Sequence, residues 1–311
     1  MSSESSTHNV QERFQKWIQE LNKRRVGLYL VFGVLAVVYL VPFEAGIMTA
    51  FKSRSGYLTS SPLAPPYDSF TLGPWDVAWE ALSGSFMNSL GFTIPAALLS
   101  AFLGSIAAHG LTNVNWKYQN ILFLFFVAAI FLPYQSVLVP LTRFWDIVKI
   151  HAILENLGPI NVWALPYMRD HYATILELIF THTAYGVPIA TLLFRGFYQE
   201  LSDEMVEAAR IDGATPTAVY TNIILPLSKP IFIVVFIYQF TSIWNGLLIS
   251  LVVAGVGPAA PITVEVNKLA IAGEIPTFNT MMAGAFITAI PTLLIYIFFG
   301  NRFAQGVRGY G

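Results

Sequence analysis

Metal or proton chemistry would have to fall to five histidines, His8, His109, His151, His171 and His182, and no cysteine accompanies them. Their spacing contains no H-E-x-x-H and suggests no metal site. Disulfides, thiolate nucleophiles and Cys-ligated zinc are excluded by composition. No lysine follows a glycine, so the phosphate-cradling loop G-x-x-x-x-G-K-[ST] is absent as well. Glu177 and His182 lie inside one apolar stretch. There they could form an intramembrane proton relay, or simply mark a helix end near the interface. Nothing pairs a nucleophile with a positioned base, as a hydrolase would require.

A second group of residues could hold a solute rather than transform it. Asn88, Tyr134, Gln135, Gln239, Trp244 and Asn245 interrupt or border apolar runs. A polar side chain in lipid is costly, so these must face protein or water. As a set they offer hydrogen bonds and aromatic faces, the needs of a path for a polar solute. Each could equally serve an interhelical hydrogen bond.

The elements that position these groups follow from composition. Of 311 residues, 55% are hydrophobic and only 11% charged, against about 25% charged in a soluble domain. Mean hydropathy is +0.59. A net charge of −1 supplies no basic field for nucleic acid. Six runs are each long enough to cross about 30 Å of hydrocarbon. They fall at about 26–48, 85–109, 120–142, 175–196, 230–254 and 281–303. This predicts an all-α polytopic membrane protein with six transmembrane helices. The first run follows a long polar leader and lacks a small-residue cleavage site, so it reads as a retained span rather than a signal peptide. Residues 1–25 form a cytoplasmic leader in which Val10, Phe14, Trp17, Ile18 and Leu21 recur at helical spacing. Such a helix would lie on the membrane or on a partner subunit. The second run is rich in Ser, Gly and Ala, which allow close helix approach. Residues 52–83 read as an outer loop. Prolines 42, 95, 133, 140, 188 and 291 suit bent helices or ordinary membrane ones. With the N-terminus inside, eleven of the 17 basic residues fall on the cytoplasmic side and six outside, which supports N-in and C-in.

The loop at about 197–229 is unlike the others. Ser202-Asp203-Glu204 suits a helix start, and Gly213 a stop or sharp bend. The intervening helix of about ten residues is too short to stand alone in water. Met205, Ala208, Ala209 and Ile211 suggest one small-residue face that would sit in a partner's groove.

Glu207-Ala208-Ala209, Gly213 and then Ile223, Leu225 and Pro226 resemble the EAA motif of ABC importer permeases. The run EAARIDGATPTAVYTNIILPLSKP is similar to the version in the carbohydrate-importer branch, the one that includes a permease of the maltose system. Phe240-Thr241-Ser242-Ile243-Trp244-Asn245, Met87-Asn88-Ser89 and Phe303-Ala304-Gln305-Gly306 resemble other patterns of that branch, although Gly246 stands where an acidic residue is common. The resemblance covers residues 26–311 as one permease domain and implies a type I ABC importer permease fold.

It further implies a sugar-transporting, non-catalytic subunit in the cell membrane, forming half of a translocation pathway. Its expected partners are an ATP-binding-cassette ATPase dimer carrying ATP and Mg, a second permease subunit and an extracytoplasmic sugar-binding protein. The coupling residues would be Glu207, Ala208, Ala209, Asp212 and Gly213, with 255–280 a contact for the binding protein. Two departures stand out: the 25-residue leader and the long connection 146–176. The alternative is an ion-coupled secondary carrier, whose usual signs are internal repeats with matching unwound helices; no convincing pair is visible.

Overall fold

Apolar runs of these lengths can satisfy their backbone in lipid by forming helices, and helices form. The computed structural model describes residues 23–114, 116–201, 203–271 and 278–308. Residues 1–22, which hold most of the leader, Ser202 and residues 272–277 lie outside the described residues.

The chain divides into two units, residues 1–75 with 277–283 and residues 76–276 with 284–311. In the first, α1 (Lys23–Ala50) is the expected first span and runs about 42 Å at 1.5 Å per residue. It is apolar on every side, and most of it is exposed within the chain, so its surroundings must be lipid or another protein. The expected loop 52–83 is more ordered than its composition suggests. It contains α2 (Arg54–Thr59), capped by the Ser53 hydroxyl, and α3 already begins at Gly73. Ser53 N–H donates to the Ser69 carbonyl at 2.7 Å and Thr71 N–H to the Phe51 carbonyl at 2.9 Å. Phe51 packs on Phe70 and Trp75. The stretch looked loop-like because its order comes from these cross-links rather than from periodicity.

The second unit holds the remaining spans. Helix α3 (Gly73–Thr112) runs forty residues, starting a dozen before the expected span. The third span is not the continuous 120–142 expected. It is α4 (Gln119–Ile130) and α5 (Tyr134–Val148), the two halves bent by 101°. Pro133 offers no N–H and disfavours helical geometry at Leu132, so the helix stops there. Insertion 146–176 carries α6 (Ile150–Glu155) and a 3₁₀ turn at Val162–Ala164. Helix α7 (Tyr172–Glu200) contains the fourth span.

The next segments are α8 (Asp203–Ile211) and α9 (Pro216–Leu227, with a π turn at Tyr220–Ile224). The fifth span is α10 (Lys229–Trp244), bent 76° from α9. It too breaks short of the expected 254. The Asn245 amide turns back to the Thr241 carbonyl at 2.9 Å, and the chain resumes as α11 (Leu248–Ala254). Helices α12 (Ile262–Ile271) and α13 (Phe278–Arg308) complete the chain.

Small residues set the closest approach, as the second span's composition implies. A Cβ on Gly104 would stand 2.5 Å from that of Ala190, and one on Gly186 would stand 2.3 Å from the Ser100 hydroxyl. Around this seam Ala101, Phe194, Val206, Tyr220 and Val235 share one buried cluster, so α3, α7, α8, α9 and α10 form a single packed body.

Candidate functional site

Helix α8 is nine residues long and owes its geometry to its end. Gly213 has φ +84°, its N–H donates to the Arg210 carbonyl at 3.0 Å, and Ala214 N–H donates to the Ala209 carbonyl at 2.9 Å. These two bonds are the Schellman closure, with Ala209 and Ala214 meeting against the buried cluster as its apolar contact. Thr215 then caps α9 by accepting from Ala218 N–H, and Pro216 takes the first helical position.

Of the anticipated outward face only Ala209 departs. Val206 is buried and Ala209 half-buried, whereas Met205, Ala208 and Ile211 point outward with Glu204, Glu207 and Asp212. Ile211 is 86% exposed. The inward face was hidden in the sequence because Val206 and Ala209 belong to the chain's own core. The outward face is half apolar and half acidic, a surface that a partner could cover. Arg210, exposed, donates to the Asn113 carbonyl after α3 and so tethers α8 locally.

Of the six residues expected on a solute path, two line one cavity of about 310 Å³. Tyr134 and Gln239 meet there with His182, Tyr185, Tyr238 and Ser242, and both helix breaks contribute to the wall through Ile130, Leu132, Gly246 and Leu247. The Tyr134 and Tyr185 rings lie 5.2 Å apart. The His182 ring stacks on Phe92 at 5.5 Å, and its buried Nε2 has no protein partner. Gln239 donates to the Gly186 carbonyl at 2.6 Å, holding α10 to α7.

The other four residues do structural work or lie elsewhere. Trp244 is buried, donates to the Thr288 carbonyl at 2.9 Å and stacks on Phe240. Asn88 ties α3 to the Pro258 carbonyl at 2.8 Å. The Asn245 amide is spent on its own helix end. Gln135 is exposed and is not part of the cavity wall. Tyr185, Tyr238 and Ser242 were missed. Their signal was the spacing of His182, Tyr185 and Gly186 on one turn facing Tyr238, Gln239 and Ser242 on another.

Neutral hydroxyls, one amide, one imidazole and two mutually tilted phenol rings can hold a polyhydroxyl solute. No carboxylate lines the cavity. Among the described residues no group of three His, Cys, Asp or Glu could hold a metal ion.

Residues 100–309 match the family described as binding-protein-dependent transport system inner membrane component. The chain is similar to the xylose/arabinose import permease of Haloferax volcanii, 44% identical over 311 residues and 99% of each chain. It is also similar to the glucose import system permease of Saccharolobus solfataricus, 27% identical over 91% of this chain and 93% of that one. A solved bacterial ABC transporter involved in import of the acidic polysaccharide alginate shares the fold. The TM-score is 0.63 at 16% identity, covering 89% of this chain and 96% of that one. With the helical breaks, the Gly213 closure and these matches all on one chain, it belongs to the family of inner membrane components of binding-protein-dependent transport systems.

Proposed function

We propose that the chain is the permease subunit of an ABC importer for small sugars, pentoses first, and supplies half of the translocation pathway. The observation that carries this reading is α8, a short helix anchored on one side by Val206 and Ala209 and open on the other at Glu207, Ala208 and Ile211. It is built to be gripped. A partner ATPase dimer carrying ATP and Mg takes that face, so hydrolysis belongs to the partner and this subunit is non-catalytic. Glu207 and Asp212 supply polar contacts, Ala208 permits close approach, and Gly213 sets the turn that relays motion to α9.

The pentose assignment is supported by the full-length relative that imports xylose and arabinose, and by a cavity of about 310 Å³. That volume is at the lower end of small-molecule sites, about 300–1,000 Å³. One sugar ring fits it better than an oligosaccharide. A second permease would complete the pathway, and an extracytoplasmic sugar-binding protein would deliver the solute at the outer face. The subunit would cross the cell membrane several times with both termini and α8 inside, in keeping with the charge split.

The test is reconstitution in liposomes with labelled xylose, arabinose and maltose. Import of the pentoses, requiring ATP on the α8 side and binding protein on the other, is expected. Accumulation by the isolated chain under a sodium or proton gradient without ATP would refute the reading.

A further inference from the structure

Four buried hydroxyls join the segment around α8 to the membrane helices. The Ser105 hydroxyl on α3 lies 2.6 Å from that of Tyr198 at the end of α7 and 2.8 Å from that of Tyr220, which opens the π turn of α9. Ser228, at the bend into α10, interacts with the Tyr198 hydroxyl and donates to the Ile224 carbonyl at 2.5 Å. One assignment uses every proton. Tyr220 donates to Ser105, Ser105 to Tyr198, Tyr198 to Ser228, and Ser228 to Ile224. The run starts on the first residue of the π turn and ends on its last. All four residues are buried, and apolar side chains of the same helices surround them.

Two further tethers act on the same segment. His109 Nε2 lies 3.2 Å from the Pro216 carbonyl with its ring against Tyr220, and Arg210 reaches the Asn113 carbonyl.

Apolar packing alone is non-directional and lets one element slide on another. Hydrogen bonds in a low dielectric are directional, and a chain of them is mutually strengthened. The π turn they bracket is a geometry that is rare and marks functional places in helices.

We propose that the Tyr220–Ser105–Tyr198–Ser228 hydroxyl chain is a positioning linkage that makes α8 and α9 move as one body with α3 and α7. Closure of the partner ATPase is thereby converted into rearrangement of the pathway. These four are positioning residues and touch neither nucleotide nor sugar. The inference rests on the importer reading above.

The test uses the assembled transporter in liposomes, comparing wild type with Tyr220→Phe, Tyr198→Phe, Ser105→Ala and the Ser105→Ala/Tyr220→Phe double variant. The quantity read is sugar imported per ATP hydrolysed. The tyrosine changes remove one oxygen and keep the ring, so abundance in the membrane should hold. Each single variant should lower the ratio about three- to tenfold while hydrolysis continues. The double variant should lose little more than its worse parent, because both break one chain. An unchanged ratio overturns the linkage. Parallel loss of hydrolysis and import at a constant ratio also overturns it, since a merely structural role does that. A wild-type complex that imports nothing with ATP would remove the importer reading itself, and with it this inference.

Discussion

Gly213 holds φ +84° with open space around it, since a Cβ there would meet nothing within 4 Å. Substitution therefore tests backbone conformation without a clash. An L-residue in left-handed geometry costs about 1–2 kcal/mol, and a β-branched one more, because its Cβ crowds the following carbonyl. Helix α8 has nine residues and little stability of its own, so that cost falls on the Schellman closure. If the strained and relaxed turns compete, 1–2 kcal/mol shifts their ratio by about 5–30-fold. Gly213→Val should thus lower sugar-stimulated ATP hydrolysis and import by roughly that factor, with normal membrane abundance. Gly213→Asn should retain most activity, because asparagine accepts this conformation, and Gly213→Ala should fall between. Rates would be measured on the reconstituted complex, and α8 order by hydrogen exchange. Full activity in the valine variant, or equal impairment by asparagine and valine, would refute the reasoning.

Glu207→Lys reverses an exposed charge on the outward face of α8, so co-purification with the ATPase and sugar uptake should both drop while insertion is normal. Normal uptake would sink the docking role. His182→Leu removes the imidazole from the cavity wall and should raise the apparent KM for sugar about tenfold, roughly the worth of one or two hydrogen bonds. His182→Gln should stay within about threefold, and equal KM values for both would place the sugar elsewhere. Because the chain has no cysteine, Tyr67→Cys and Ile211→Cys can be labelled singly at residues that are 87% and 86% exposed. An impermeant thiol reagent should reach position 67 from outside and position 211 only after lysis; the reverse pattern overturns the orientation.

Much of the architecture was legible because lipid imposes one rule on every span. Apolar length located four continuous helices long enough to cross a membrane and two further runs that the structure breaks into bent pairs, and the Ser100–Ser105 run announced the close seam with Ala190 and Gly186. The two breaks were less legible. Pro133 was visible as one proline among several, and only its position as the N-cap of α5 distinguishes it from Pro95 or Pro188, which their helices absorb. The Asn245–Leu247 break has no proline at all. Around the cavity, Tyr134 and Gln239 stood out because polar groups in lipid need a reason. Trp244 and Asn88 stood out equally and turned out to be interhelical fasteners, a role with the same residue types. The sequence sets His182 beside Glu177 on its own helix, whereas its neighbours are Phe92 on α3 and Gly246 in the break after α10. On α8, a nine-residue amphipathic pattern gives two candidate faces, and only the tertiary core decides which is inward.

The two broken spans carry a consequence for the barrier a solute meets. Helix α4 rises about 18 Å and α10 about 24 Å at 1.5 Å per residue, both short of about 30 Å of hydrocarbon. Both end at the cavity, whose wall offers no charged side chain. A cavity reached from both breaks would shorten the dry stretch across which hydroxyls shed water, and each hydroxyl spared desolvation without a partner avoids about 1–3 kcal/mol. An uncharged sugar passing a neutral wall does no work against a membrane potential, so the passage itself should be electroneutral.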